Sequence, residues 1–365
     1  MDVERAVPSS LHPDVRHTLL GVAVDDVLPE TWDCHPLVAR ALRESGAAVD
    51  EVEISVAAGT DRRWVVEARN AVLDRVPAGA GGAPHVLHAV GWPATLAAVA
   101  ARPLRSLPAV VAHLGNGPGV PGRTIDPDLH RLAWVSARAA DAVVLDSSWA
   151  VDQAVAQGVP RRSIVQTVPV GAPAAGDPTS WRRHDGPARV LAVGGIGPLA
   201  GTHAVVRAVS GLDSVDLVVG ARPEVSDGQL AAAQAWVDEQ CRRCDTGAVQ
   251  VVRITPEVLA GVDLVVDAGV VPGRVDGLVR AMAFRRAVLT TGVGSRAEVV
   301  SPATTGEVVE AGDWRPLRRS VAALLDDPFK LEAYGDAGLE RFLAVHTPQR
   351  RALVTHDAAL MVGPG

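Results

Sequence analysis

The sequence predicts an α/β protein of two doubly wound parallel-sheet domains in tandem, facing each other across a cleft. Three observations carry this. Apolar runs of strand length alternate with helix-period segments along the whole 365-residue chain, as in parallel βαβ units. Apolar residues make up 48% of the chain and charged residues 21%, a balance that excludes disorder and supplies a large core. One stretch, Gly171 to Pro187 (GAPAAGDPTSWRRHDGP), breaks the rhythm with six Pro or Gly residues, after which the alternation restarts.

In the first half the strands are His17–Val24, Glu51–Val56, Pro84–Val90, Ala109–His113, Ala142–Leu145 and Ser163–Val170. They are nearly uniformly apolar, as expected of a sheet covered by helices on both faces. Helical stretches lie near Pro36–Ser45, Arg62–Asp74, Pro93–Ala101, Asp128–Ala139 and Trp149–Gln157. After the break come strands at Ala188–Val193, Ser214–Val219, Ala248–Ile254, Val262–Asp267, Ala287–Leu289 and Gly306–Val309. The helices of that half are expected at Ala200–Val209, Asp227–Cys241, Gly277–Phe284, Ser295–Val300, Trp314–Leu325 and Pro328–Phe342, with a last one at Pro348–Met361. The predicted domains are therefore residues 1–171 and 188–345, with a linker at 172–187 and a tail, 346–365, that crosses back to the first domain. In such sheets ligands sit outside the carboxyl ends of the strands.

Net charge −7 gives no electrostatic footprint for nucleic acid. No apolar run approaches the roughly 18 residues of a membrane span, and Met1–Pro13 has no apolar leader, so a cytoplasmic protein is expected. The cations are almost all Arg, Lys330 being the only lysine, a skew that fits GC-rich bacterial coding. Cys34, Cys241 and Cys244 make no disulfide framework. Cys241-Arg-Arg-Cys244 has the spacing of half a zinc site, but no second pair completes it, so no metal is expected.

From about His85 onward a series of short segments resembles glycosyltransferase family 4, retaining enzymes of the GT-B fold with two Rossmann-like domains. Ala140-Asp141-Ala142-Val143-Val144-Leu145-Asp146-Ser147 is followed at family spacing by Gly158-Val159-Pro160 and Val168-Pro169-Val170-Gly171. Val190-Leu191-Ala192-Val193-Gly194 opens the second domain, and Val262-Asp263-Leu264-Val265-Val266 and Arg280-Ala281-Met282-Ala283 lie further on. Gly292-Val293-Gly294, Glu298-Val299-Val300, Thr305-Gly306, Ala311-Gly312-Asp313, Asp326-Asp327-Pro328 and Gly338-Leu339-Glu340-Arg341-Phe342 close the series. The resemblance implies transfer of a sugar from a nucleotide-diphosphate sugar to an acceptor with retention, without a cofactor or metal.

Loss of a diphosphate needs donors for phosphate oxygens: cationic side chains, helix N-termini or exposed amides. The family supplies an Arg and a Lys from the loop after the second domain's first strand, and two Glu eight positions apart for the sugar and ribose. This chain departs at all four points: Gly195, Ala200, Pro272 and Arg280 stand there. The first domain's glycine pair is replaced by Pro29-Glu30-Thr31-Trp32-Asp33.

Other candidates remain. His113, at the end of its strand, resembles a family His near the donor sugar and is the expected catalytic residue; His88 is a weaker candidate of the same kind. Either His could instead cap a backbone carbonyl. Gly194, Gly195, Gly197 and Gly201 let a backbone approach a phosphate closely, unless packing alone shapes the turn. Arg274 and Arg280, with Val275 and Asp276 between them, offer bidentate phosphate recognition from another loop, or a solvated charge in the case of Arg280. Glu298 reads as a structural acceptor or a ribose contact.

Two readings follow: a transferase with an unusual donor site, or a noncatalytic homologue that senses a nucleotide sugar or supports an active glycosyltransferase partner. A dinucleotide enzyme is a third, since Gly195-Ile196-Gly197-Pro198-Leu199-Ala200 matches G-x-G-x-x-A, with Asp213 and Asp216 about 20 residues on. The family's phosphate loop accounts for the same glycines.

Overall fold

A computed structural model describes residues 15–24, 35–57, 63–78, 84–119, 125–174, 178, 186–223 and 225–362. The candidate segment Pro29–Asp33, together with Cys34, lies outside them. The chain divides into two compact units, residues 1–168 with 348–365, and residues 169–347.

The first unit runs β1 (Arg16–Val24), α1 (His35–Glu44), β2 (Ala48–Val56), α2 (Arg63–Arg75), β3 (His85–Val90), α3 (Gly91–Ala101), β4 (Ala109–Gly115), α4 (Pro127–Ala139), β5 (Ala142–Leu145), α5 (Ser148–Ala156) and β6 (Ile164–Gln166). Its six strands are parallel, in the order β2-β1-β3-β4-β5-β6. The second unit runs β7 (Ala188–Ala192), α6 (Thr202–Val209), β8 (Val215–Ala221), α7 (Asp227–Cys244), β9 (Gln250–Arg253), α8 (Pro256–Ala260), β10 (Leu264–Asp267), α9 (Asp276–Ala283), β11 (Ala287–Thr291), α10 (Arg296–Val299), β12 (Gly306–Val309), α11 (Trp314–Leu325) and α12 (Pro328–Val345). Its sheet is also six-stranded and parallel, in the order β12-β11-β10-β7-β8-β9. The last helix, α13 (Pro348–Val362), belongs to the first unit.

Local chemistry sets many of the boundaries. Asp126 caps α4 by accepting from the amides of Asp128 and Leu129, with Pro127 in the first turn. Ser226 and Gln229 close a reciprocal capping box at the start of α7. Asp327 accepts from the Lys330 amide ahead of α12. The central strands are buried on both faces, so β5 and β10 show no polar alternation.

Three of the differences from the sequence reading have a plain local cause. β6 stops at Gln166: the Thr167 amide still donates to the Leu145 carbonyl, but Pro169 has no N–H with which to extend the ladder. β4 continues two residues past His113, to Gly115, through a register shift. The five-residue α8, capped by Thr255, is too short to show periodicity.

Among the described residues no helix is long and apolar enough to cross a membrane. No group of three or more His, Cys, Asp or Glu among them could hold a metal ion. Cys241 and Cys244 are free thiols on the last turn of α7, Cys241 being buried.

Gly335 on α12 shows how close the packing is. A Cβ there would sit 2.3 Å from the Arg285 carbonyl oxygen, a backbone atom that has nowhere to retreat. Gly335→Ala gains about 1 kcal/mol of helix propensity but forces an overpacked contact of about 1–3 kcal/mol. We expect net destabilisation, visible as a lower urea midpoint, where an exposed helical glycine would show the opposite.

Candidate functional site

In the second sheet the chain leaves β7 toward β8 and β9, then returns to place β10 on the other side of β7. The carboxyl ends of β7 and β10 therefore flank the switch point, where doubly wound sheets bind their ligands. Gly194 to Gly201 follow β7 there, and all four glycines of this loop have positive φ: +89° at Gly194, +108° at Gly195, +139° at Gly197 and +72° at Gly201. The Thr202 hydroxyl donates back to the Gly195 carbonyl at 3.0 Å, and the Val270 amide donates to the Leu199 carbonyl at 3.0 Å. The loop is thereby pinned at both ends and delivers the N-terminus of α6.

The glycines divide into two kinds. A Cβ on Gly194 would meet the Asp267 carboxylate at 2.5 Å, and one on Gly201 would meet the Ala268 carbonyl at 1.8 Å, so packing demands both. A Cβ on Gly197 would meet nothing within 4 Å, and one on Gly195 only Ala200 at 3.5 Å. The middle of the loop is open.

Beneath the loop lies a feature that the sequence reading missed. Asp267 ends β10 with no exposure, and Arg296 reaches it from the first turn of α10, itself 2% exposed. Arg296 Nε stands 2.9 Å from Asp267 Oδ1, and its Nη1 donates to the Val271 carbonyl at 2.8 Å. Oδ1 also accepts from the Gly269 amide at 3.1 Å. A Cβ on Gly269 would lie 2.2 Å from the guanidinium. Burial pushes the Asp267 carboxyl above its usual range, and Arg296 and the Gly269 amide offset part of that rise. An Asp ending an otherwise apolar strand, and an Arg inside the glycine-rich run that follows β11, are the signals that could have found the pair.

Arg274 turns onto Asp276, its Nε 2.8 Å from Oδ1, in a pair only 12% and 27% exposed. Burial alone would raise the Asp276 carboxyl, but Arg274, its hydrogen bond and the nearby Arg280 bring it down to about 2. Val275 precedes α9 with its side chain in the core, leaving only its backbone for a ligand. Arg280 is half-buried on α9, and Glu298 is half-buried on α10, its carbonyl accepting from Arg341 at 2.7 Å. Lys330 is engaged by Glu307 at 2.5 Å.

His113 and His88 are placed together in the first unit, with companions that the sequence reading did not single out. His113, 2% exposed, lies within β4 rather than at its end. Its Nε2 is 2.9 Å from Nδ1 of His88, whose Nε2 is 2.9 Å from Nδ1 of His17, whose Nε2 is 3.2 Å from Nδ1 of His356. Successive members climb the sheet: His17 is in register with Val86, and His113 with Val90, on either side of His88. His35 meets the His113 ring edge-on. Burial, then repulsion from neighbouring rings and Arg351, holds His17, His35, His88 and His113 well below the usual imidazole range, with His17 brought down to about 4 and His35 to about 3. Arg351 is held by Asp146 at 2.6 Å.

No family model matches the chain. The lipopolysaccharide core biosynthesis mannosyltransferase LpcC of Rhizobium leguminosarum bv. viciae is 34% identical over 87 residues, a match that covers 23% of this chain and a quarter of that protein. Sucrose-phosphate synthase from Thermosynechococcus elongatus superposes with TM-score 0.74 at 18% identity, covering 94% of this chain and 98% of its own. HepE of Anabaena, solved in complex with UDP-glucose, superposes with TM-score 0.71 at 13% identity, covering 93% and 98%. The fold is that of the GT-B glycosyltransferases. The chain's structural neighbours include a protein solved in complex with a nucleotide sugar.

Two predictions follow from the buried charges. Removing one member of the Asp267–Arg296 pair strands the other, at a cost of about 3–5 kcal/mol, so Arg296→Met should unfold at markedly lower denaturant. Asp267→Asn combined with Arg296→Met should recover most of that loss. If the double variant is no better than the single one, the pair is not what holds the loop.

The histidines set the second. Unfolded imidazoles titrate near about 6.5, whereas in the folded protein His17 and His35 take up protons only near 4 and 3. Between those values the unfolded chain binds more protons, so stability is full above the unfolded value and falls as pH drops toward 4. Each group contributes up to about 1.4 kcal/mol per pH unit. Thermal melts should change little from pH 7.5 to about 6.5 and shift down steadily from there to pH 5, and a flat profile across that lower range would refute the neutral buried cluster.

Proposed function

We propose that this protein is a glycosyltransferase that takes a nucleotide-diphosphate sugar on its second unit and transfers the sugar with retention. The observation that carries the reading is the open centre of the Gly194–Gly201 loop at the switch point. The loop leads there into the N-terminus of α6, and among the described residues a Cβ on Gly197 would meet nothing within 4 Å, which leaves its backbone open to an anion. In this reading the loop grips the diphosphate, with Arg274 and Arg280 as its cationic neighbours and Asp276 and Glu298 as candidates for hydroxyl groups. The first unit is the acceptor side, His113 is the residue that faces the transferred sugar, and neither cofactor nor metal takes part. The LpcC likeness and the UDP-glucose held by HepE support a nucleoside diphosphate sugar as the substrate class.

A specific observation favours the second reading, a noncatalytic homologue that senses the nucleotide sugar or supports an active transferase. Arg296 and Arg274 are already committed to Asp267 and Asp276. Losing one positioned donor costs about 2.7–4 kcal/mol in a transition state, and the four family side chains are absent here.

Calorimetric titration with UDP, UDP-glucose and other nucleoside diphosphates tests the shared premise. Binding is expected, and no heat at millimolar ligand would sink the transferase and the sensor alike. Gly197→Val should weaken binding at least tenfold while costing only about 1–3 kcal/mol of stability through its backbone conformation, because its Cβ enters open space. Binding without release of free or transferred sugar would favour the sensor. The anomer of any product, read by NMR, decides retention.

A further inference from the structure

The imidazole chain of the first unit has a property that follows from which atoms meet. Every link joins an Nδ1 to an Nε2: His356 Nδ1 to His17 Nε2, His17 Nδ1 to His88 Nε2, and His88 Nδ1 to His113 Nε2. A neutral imidazole carries one proton, on one of its two nitrogens. Each link needs one donor and one acceptor. If His88 donates from Nδ1, its Nε2 must accept, so His17 must donate from Nδ1, and the same rule passes to the end of the chain. Only two arrangements satisfy all three links: every ring protonated on Nδ1, or every ring on Nε2. Any mixture leaves two donors or two lone pairs face to face among rings that are almost wholly buried.

We propose that His356, His17, His88 and His113 form a tautomer-coupled proton wire, which runs from α13 across three strands of the first sheet and fixes the protonation of His113. A proton given to His356 Nε2 by water displaces the Nδ1 proton to His17, which hands its own to His88, which hands its own to His113, which gives its Nδ1 proton to water or to a bound ligand. One proton enters, three cross the links and one leaves. Each ring ends neutral with its tautomer reversed, so the wire carries a proton without burying a net charge. The charged and titratable groups around it are Arg351 and Asp146, paired to each other, His35 against His113, and His85, which bonds Thr18 beside His17. His17, His88 and His356 are thus positioning residues that present His113 as a donor or an acceptor at Nδ1. The inference rests on ring geometry and stands apart from the transferase reading.

Long-range proton–nitrogen correlation NMR on the histidine-labelled full-length protein at neutral pH tests it without any substitution. The rings are assigned through contacts to the flanking methyls of Val15, Val86 and Val111. All four should show the same protonated nitrogen, or, if the two arrangements exchange, the same fraction of each. Different tautomers or unequal fractions within the four would overturn the wire. Hydrogen exchange gives a second readout. The ring N–H of His88, which has no exposure, should be at least tenfold less protected, relative to the intrinsic exchange rate of a free imidazole, than the backbone amides of Leu87 and Ala89 are relative to theirs. Equal protection would mean that its proton leaves only when the sheet opens, and would refute conduction.

Discussion

The second unit is organised around one buried ion pair. Asp267 and Arg296 come from a strand end and a short helix that are far apart in sequence, and neither could stay charged in the interior alone. Their pairing dictates glycine at Gly194 and Gly269, whose Cβ atoms would enter the carboxylate and the guanidinium. It also ties down the Val271 carbonyl, and so the path of the chain from β10 toward α9. The loop at the switch point therefore owes its shape to a charge pair that lies under it. The backbone surface offered to an anion is separate, at Gly195 and Gly197.

The first unit buries polarity by the opposite route. Where the second unit keeps opposite charges and cancels them, the first keeps imidazoles uncharged and lets them satisfy one another. The Arg351–Asp146 pair at the edge of the cluster is the exception, and it adds a reason for the rings to stay neutral, since Arg351 opposes a second positive charge at His113 and His35. Two sheets of the same architecture thus solve one desolvation problem with different chemistry, and they respond differently to acid. The histidine cluster fails as protons arrive. In the Asp267 pair, burial raises the carboxyl above its usual range and Arg296 offsets part of that rise.

Much of the fold was legible because parallel strands covered on both faces must be apolar throughout, and runs such as Val262–Asp267 can hardly be read otherwise. Boundaries slipped where local chemistry outweighed hydropathy, as at Pro169, and α8 was missed because five residues cannot display a helical period. The loop glycines were legible as a turn, though not that Asp267 explains one of them. His88 and His113 were visible as polar residues on apolar strands. Their union with His17 and His356 was not, because it depends on the register of three strands and on a helix some 240 positions later in the chain. Sequence spacing carries no trace of such a contact.

The last helix has a consequence for how the molecule is made. α13 supplies His356, Ala358 and Ala359 to the face of the first sheet that holds Val15, Val86 and Val111. Among the described residues, those contacts can form only once residues 348–362 have been made, whereas the second unit is drawn from residues 169–347 alone. Synthesis runs from the N-terminus, and domains complete as their parts emerge. The unit encoded later can therefore finish first, and the nascent first unit waits with an apolar, histidine-lined surface exposed. A nonsense codon anywhere before residue 348 would leave the sheet without its contacts to His356, Ala358 and Ala359.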